Sequence, residues 1–182
     1  MQNTLTEVKH SQFLQALHSG NTISNVKINE SFSLLDVIGP DETVSFPIHI
    51  ENSVFCDFDI GFHTFEQPVL LKNCRFKSIF AMSCFFTRGF DLDSCIVEED
   101  TDFTAGGHNK NQSLFSITNN KFVGFVSFYD TWFEEKVIVA NNEFQGGTDL
   151  LADYSNLGGT AQFDKGLENR NNIGNLTMRV SK

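Results

Sequence analysis

The chain has 182 residues, 40% of them hydrophobic and 20% charged, which suits one domain of ordinary size with a real core. Thirteen Lys and Arg against 23 Asp and Glu leave a formal charge of −10, which argues against direct binding to nucleic acid. No apolar run approaches the ~20 residues of a membrane span, and 3 Pro with 13 Gly exclude a collagen-like or low-complexity chain.

In chain order, Met1-Gln2-Asn3-Thr4 lacks the basic start and apolar stretch of a secretion signal, so the expected location is cytoplasmic. Thr6 to Ser19 reads as a short amphipathic helix with Thr6 as N-cap, Val8, Phe13, Leu14 and Leu17 on one face, and Gly20 as its stop. It is predicted to cap a larger structure. Val26, Ile28 and Glu30 begin a leading coil, and residues 39–43 read as a turn.

From Ile48 a pattern recurs: an apolar residue, another two on, a small or polar residue at four, and an apolar residue at seven, usually Phe. It reads Ile48, Ile50, Asn52, Phe55; then Phe58, Ile60, Phe62, Phe65; then Val69, Leu71, Asn73, Phe76; then Ile79, Ala81, Ser83, Phe86; then Phe90, Leu92, Ser94, Val97. A weak copy at Thr101, Phe103, Ala105 has His108 where Phe is expected. The pattern returns at Phe115, Val126 and Val137 and ends at Phe144. Two units span 21 or 22 residues, except across an insertion at residues 104–113.

Alternation at period two is strand-like, and the step is too short for a helical solenoid. The predicted fold is therefore all-β: a parallel β-helix of 21–22 residues per coil, with a short N-terminal capping helix. Coils stacked at ~4.8 Å place residues one coil apart over one another. Phe55, Phe76, Val97, Phe122 and Phe144 would form one interior row, and Phe65, Phe86 and Phe133 another. Each fully buried side chain contributes ~1.5–3 kcal/mol, so these rows should dominate stability. Asn52, Asn73, Ser94, Asn119 and Asn141 form a third row, either a hydrogen-bonded ladder or residues tolerant of turns. After Phe144 the pattern fades. Asn169 to Asn175 reads as a loop, and Leu176, Met178 and Val180 as a last strand. The expected organisation is a capping helix (1–20), a β-helix (21–147) and an irregular C-terminal cap or dimerisation segment (148–182).

The units from Ile48 to Phe144 resemble the pentapeptide-repeat family in a Phe-rich form. In Ser53/Phe55, Cys74/Phe76, Cys84/Phe86 and Cys95/Val97 a small residue stands two places before a large inward one. The resemblance covers about half the chain and implies a right-handed quadrilateral β-helix. Alternate motifs depart from it, with large residues in the small position (Val69/Leu71, Phe90/Leu92) or polar ones (His63, Asn120, Thr131, Asn142). These departures are similar to the broader β-helix proteins of the pectate-lyase kind. Some pentapeptide-repeat proteins resemble duplex DNA in shape and charge, form dimers and act on DNA gyrase, and the resemblance carries that alternative.

The residues themselves show little chemistry. Cys56, Cys74, Cys84 and Cys95 have no CxxC spacing. Cys74 and Cys95, one coil apart, are within disulfide reach, but their small inward positions suit buried thiols. His10, His18, His49, His63 and His108 lack metal-ligand spacing, with His63 expected inward and hydrogen-bonded. No metal, cofactor or catalytic residue is expected. The densest charge is Asp91, Asp93, Glu98, Glu99, Asp100 and Asp102, beside the polar insertion that holds His108, Asn109 and Lys110. Insertions in repeat folds often form the binding face, so these nine residues are the candidate interaction surface. The expected function is non-catalytic protein–protein interaction with a partner of unknown identity, with a homodimer left open. The alternatives are the gyrase-directed acidic dimer and a small carbohydrate-active enzyme using Asp93 and Asp102.

Overall fold

The computed structural model describes residues 4–179. Short parallel strands stack into a β-solenoid of about six coils. In the coil that begins at Ile48, face A is Ile48–Glu51, faces B and C share the strand Val54–Asp59, and face D is Thr64–Phe65. The next coil repeats this as Val69–Lys72, Arg75–Phe80 and Phe85–Phe86. Higher up, faces B and C separate into Ile96–Val97 and Thr101–Asp102, then Lys121–Phe122 and Val126–Ser127. Each face sends two side chains inward, two residues apart. Ile48 and Ile50, Ser53 and Phe55, Phe58 and Ile60, and His63 and Phe65 are all buried.

The corners explain the sequence pattern. After face A the chain turns through Asn52, Asn73, Ser94, Asn119 and Asn141, all with φ between 50° and 59°. Short polar side chains tolerate this left-handed conformation by bonding locally, which is why Asn recurs at this place.

The expected interior rows are present. Phe76 stands in register with Phe55 on one side and Val97 on the other, and Val97 leads on through Phe122 to Phe144. Stacked ring centroids lie 5.3 Å apart for Phe55–Phe76 and 5.1 Å for Phe122–Phe144. On face D, Phe65 and Phe86 stack at 5.3 Å, and Phe133 continues to Phe163 at 5.5 Å. Between Phe86 and Phe133 the row is interrupted. His108 has φ 52°, which turns its ring outward between Phe85 and Trp132, at 4.3 and 5.2 Å. Phe115 fills the gap from face A, 5.8 Å from Phe86 and 4.6 Å from Phe133.

A buried polar column runs beside the first row: Ser53, Cys74, Cys95, Asn120 and Asn142. Each thiol or amide reaches a carbonyl of the neighbouring coil, Cys74 to Ile50, Cys95 to Leu71, Asn120 to Leu92 and Asn142 to Ile117. The Asn120 amide donates to Asn142 Oδ1 at 3.0 Å, and the Asn142 amide to Asn172 Oδ1 at 2.9 Å. The Asn ladder thus lies one residue beyond the expected row, on its buried side. In the expected row the Asn141 amide donates to Asn119 Oδ1, and Asn171, one coil beyond that row, donates to Asn141 Oδ1. Cys74, Cys84 and Cys95 are buried free thiols, and Cys56 is half-buried. His63 is buried, with its ring nitrogens 3.3 Å from the carbonyls of Ile60 and Ile38.

Both ends differ from expectation. Thr6–Glu7 is a strand in register with Val26 and Lys27, and helix α1 spans His10–His18 from an N-cap at Lys9. Backbone pairing along the ladder takes Thr6 away from a capping role. Gly20, at φ 67°, ends the turn after the helix as anticipated. Phe13 of α1 closes the interior against Phe32 and Phe55, at 5.0 and 5.2 Å. His10 packs on Phe32 at 5.5 Å. At the other end, Asn169 and Arg170 belong to the face-A strand Leu167–Arg170, followed by Ile173–Gly174 on face B. Leu176 and Met178 lie beyond the last strand, and Val180 is outside the described residues.

Candidate functional site

The acidic residues are contiguous in sequence and dispersed in space. Asp91 and Asp93 project from face A (Phe90–Asp93) and line a shallow depression with Arg88, Leu114 and Ser116. Burial pushes the Asp91 carboxyl up. Burial also works against ionised Asp93, but hydrogen bonds from Asn119 and Thr118 hold its carboxyl below the usual range. Glu98 and Glu99 occupy the corner between faces B and C, where Arg75 and Lys77 pair with them. Asp102 projects from face C, with Asp100 at its edge.

Asp100 and Asp102 therefore belong to a separate groove of about 390 Å³, lined also by Thr101, Thr104, Phe125, Ser127, Tyr129, Tyr154 and Leu157. One wall is the segment 149–161, inserted between faces C and D. It folds back over face C. The Tyr129 hydroxyl donates to the Leu157 carbonyl at 3.3 Å, and the Tyr129 and Tyr154 rings meet edge to face at 5.1 Å. Gly159 permits this close approach, since a Cβ there would meet the Tyr129 ring at 2.0 Å. Under the wall lies Asp149, only 2% exposed although it follows the outward column of face C. Its carboxylate accepts from the Phe128 N–H at 2.5 Å, and burial pushes its pKa up.

In the groove, Asp100 Oδ1 accepts from the Phe125 N–H and Asp102 Oδ1 from the Thr104 N–H, both at 2.8 Å. Among the described residues neither carboxylate has a cationic partner. Among the described residues no Lys, Arg or His lines the groove, although Arg179 sits nearby, its Cζ 5.8 Å from the centroid of the Tyr154 ring.

The insertion residues go elsewhere. His108 is half-buried on face D, with Nδ1 3.2 Å from Glu134 Oε1, and Lys110 reaches the same carboxylate at 3.4 Å. Asn109 is fully buried. Its amide donates to the carbonyls of Ser113 and Lys136, so it fixes the insertion to the next coil and offers no surface. The nine candidate residues thus divide among face A, the B–C corner, face C and face D.

Sequence reasoning singled out none of Phe125, Tyr129, Tyr154 and Leu157 as a binding residue. One signal was visible: the chain has only two Tyr among twenty Phe, and both stand in this groove. A phenol in a chain that otherwise uses Phe marks a ring that meets water or a polar partner.

Among the described residues no three His, Cys, Asp or Glu side chains converge as a metal site, and no helix is long and apolar enough to cross a membrane. No family model, curated protein or solved structure matches this chain.

Proposed function

We propose that this β-solenoid is a non-catalytic interaction module of pentapeptide-repeat type, and that it docks a partner protein through the groove on face C. The observation that carries the reading is that groove: aromatic and aliphatic walls beside two carboxylates free of cationic partners. Concave sites with apolar walls and a few convergent polar groups are the usual form of a binding site. The inward pairs Ser53/Phe55 and Cys74/Phe76 support the pentapeptide-repeat part.

The carbohydrate-active alternative is weaker, because Asp93 and Asp102 emerge from different faces, whereas paired glycosidase carboxylates flank a single bond. A DNA-like acidic rod is also less well supported. Lys or Arg pairs with Asp57, Glu98, Glu99, Glu134, Glu135, Glu143 and Glu168, which interrupts the even acidic surface such a rod would need.

A photoreactive phenylalanine analogue placed at Leu157 in native-host cells is expected to crosslink a discrete protein. The same analogue at Leu70 on face A is expected not to. Equal adducts at both positions, or none at Leu157, would overturn the reading.

A further inference from the structure

We propose that the groove on face C receives an arginine side chain of the partner protein; the proposal rests on the interaction reading above and names what is recognised. The charge argument comes first. Within the acidic run, Arg75 and Lys77 neutralise Glu98 and Glu99, while Asp100 and Asp102 face the groove without a counter-charge. Each uses Oδ1 for a backbone N–H, so the second oxygen of each remains to accept from a ligand. Two carboxylates lining one groove suit a group that presents several N–H donors in a plane.

The walls select among cations. Phe125 and Tyr129 supply aromatic surface and Leu157 an aliphatic side, while the buried Tyr154 packs against the Tyr129 ring. A guanidinium stacks on such rings and is more weakly hydrated than an ammonium, so it enters an aromatic groove at lower desolvation cost. The molecule already contains one such contact: Arg179 Cζ lies 5.8 Å from the centroid of Tyr154. A groove of about 390 Å³ also has room for a single side chain with flanking backbone.

The test is an amide NMR titration of the full chain with acetyl-Gly-Arg-Gly-amide and with its lysine and citrulline counterparts. Citrulline keeps the shape of arginine and removes its charge. The arginine peptide is expected to shift the amides of Thr101, Thr104, Phe125, Ser127 and Tyr129, and the citrulline peptide to bind about tenfold or more weakly. Lysine should fall between them. Asp100→Asn with Asp102→Asn keeps both Oδ1 acceptors, so it should retain a folded spectrum and lose the arginine response.

Equal binding of arginine and citrulline, or shifts confined to Asp91 and Asp93 on face A, would overturn the proposal. If Leu157 crosslinks a partner but the arginine peptide leaves the groove unshifted, the arginine assignment falls and the interaction module stands. If the peptide binds as described and Leu157 crosslinks nothing, the guanidinium site stands and the protein-partner reading falls.

Discussion

Replacing Phe115 with Ala is expected to destabilise the protein by about 3–5 kcal/mol, the range for removing a fully buried aromatic ring. Phe115 is 0% exposed and substitutes for the face-D side chain that His108 withholds. Its ring lies 5.0 Å from Phe90 and 5.6 Å from Phe103, in addition to its contacts with Phe86 and Phe133. Rings from three faces therefore lean on one side chain, where the insertion has already broken the row. Thermal or denaturant unfolding measures the effect, and for a chain of this size the melting temperature should fall by roughly 10 °C. A loss below about 1 kcal/mol would mean that the gap closes without Phe115.

Asn142→Ala should cost about 3 kcal/mol or more, for a polar reason. Asn142 Oδ1 accepts from the Asn120 backbone N–H at 2.9 Å and from the Asn120 amide at 3.0 Å. Its own amide donates to the Ile117 carbonyl and to Asn172 Oδ1. Truncation leaves these groups short of partners in a dry interior, where each unmet polar group costs ~1–3 kcal/mol. The adjacent Asn141 is the control. It is exposed and held at φ 58°, a conformation glycine adopts freely. Asn141→Gly should change stability by less than about 1 kcal/mol, measured in the same unfolding experiment. Equal losses at the two positions would show that the corner, not the buried ladder, is the stabilising element.

The repeat was legible because stacking imposes a fixed period. A residue can stand over its counterpart only if the coil length is conserved, so Phe55 and Phe76 reveal the coil without any local motif. Features that depend on something other than the period were not legible. The strand Thr6–Glu7 has two residues and no alternation to detect. The last coil was obscured by the 149–161 segment, which lengthens the step from Glu143 to Ile173 to 30 residues. The pair Asn171-Asn172 nonetheless repeats Asn119-Asn120 and Asn141-Asn142, and would have located that coil.

The candidate site was less legible than the fold. Charge density drew attention to Asp91 through Asp102, but alternation sends neighbours in sequence to different surfaces. Only Asp100 and Asp102 reach the groove. Its other wall comes from Tyr154 and Leu157, some fifty residues away, through a fold-back that no repeat predicts. Asn109 was misplaced for a related reason: a polar residue in an insertion reads as surface, yet here it supplies the internal hydrogen bonds that hold the insertion down.

The most direct measurement of the central claim is a set of ring-to-ring nuclear Overhauser contacts in a phenylalanine-labelled sample. Cross-peaks are expected for Phe55–Phe76, Phe122–Phe144 and Phe133–Phe163, whose centroids lie 5.3, 5.1 and 5.5 Å apart, and not for Phe55–Phe144. Absence of the first three, or contacts following sequence proximity instead of coil spacing, would contradict the stacked solenoid.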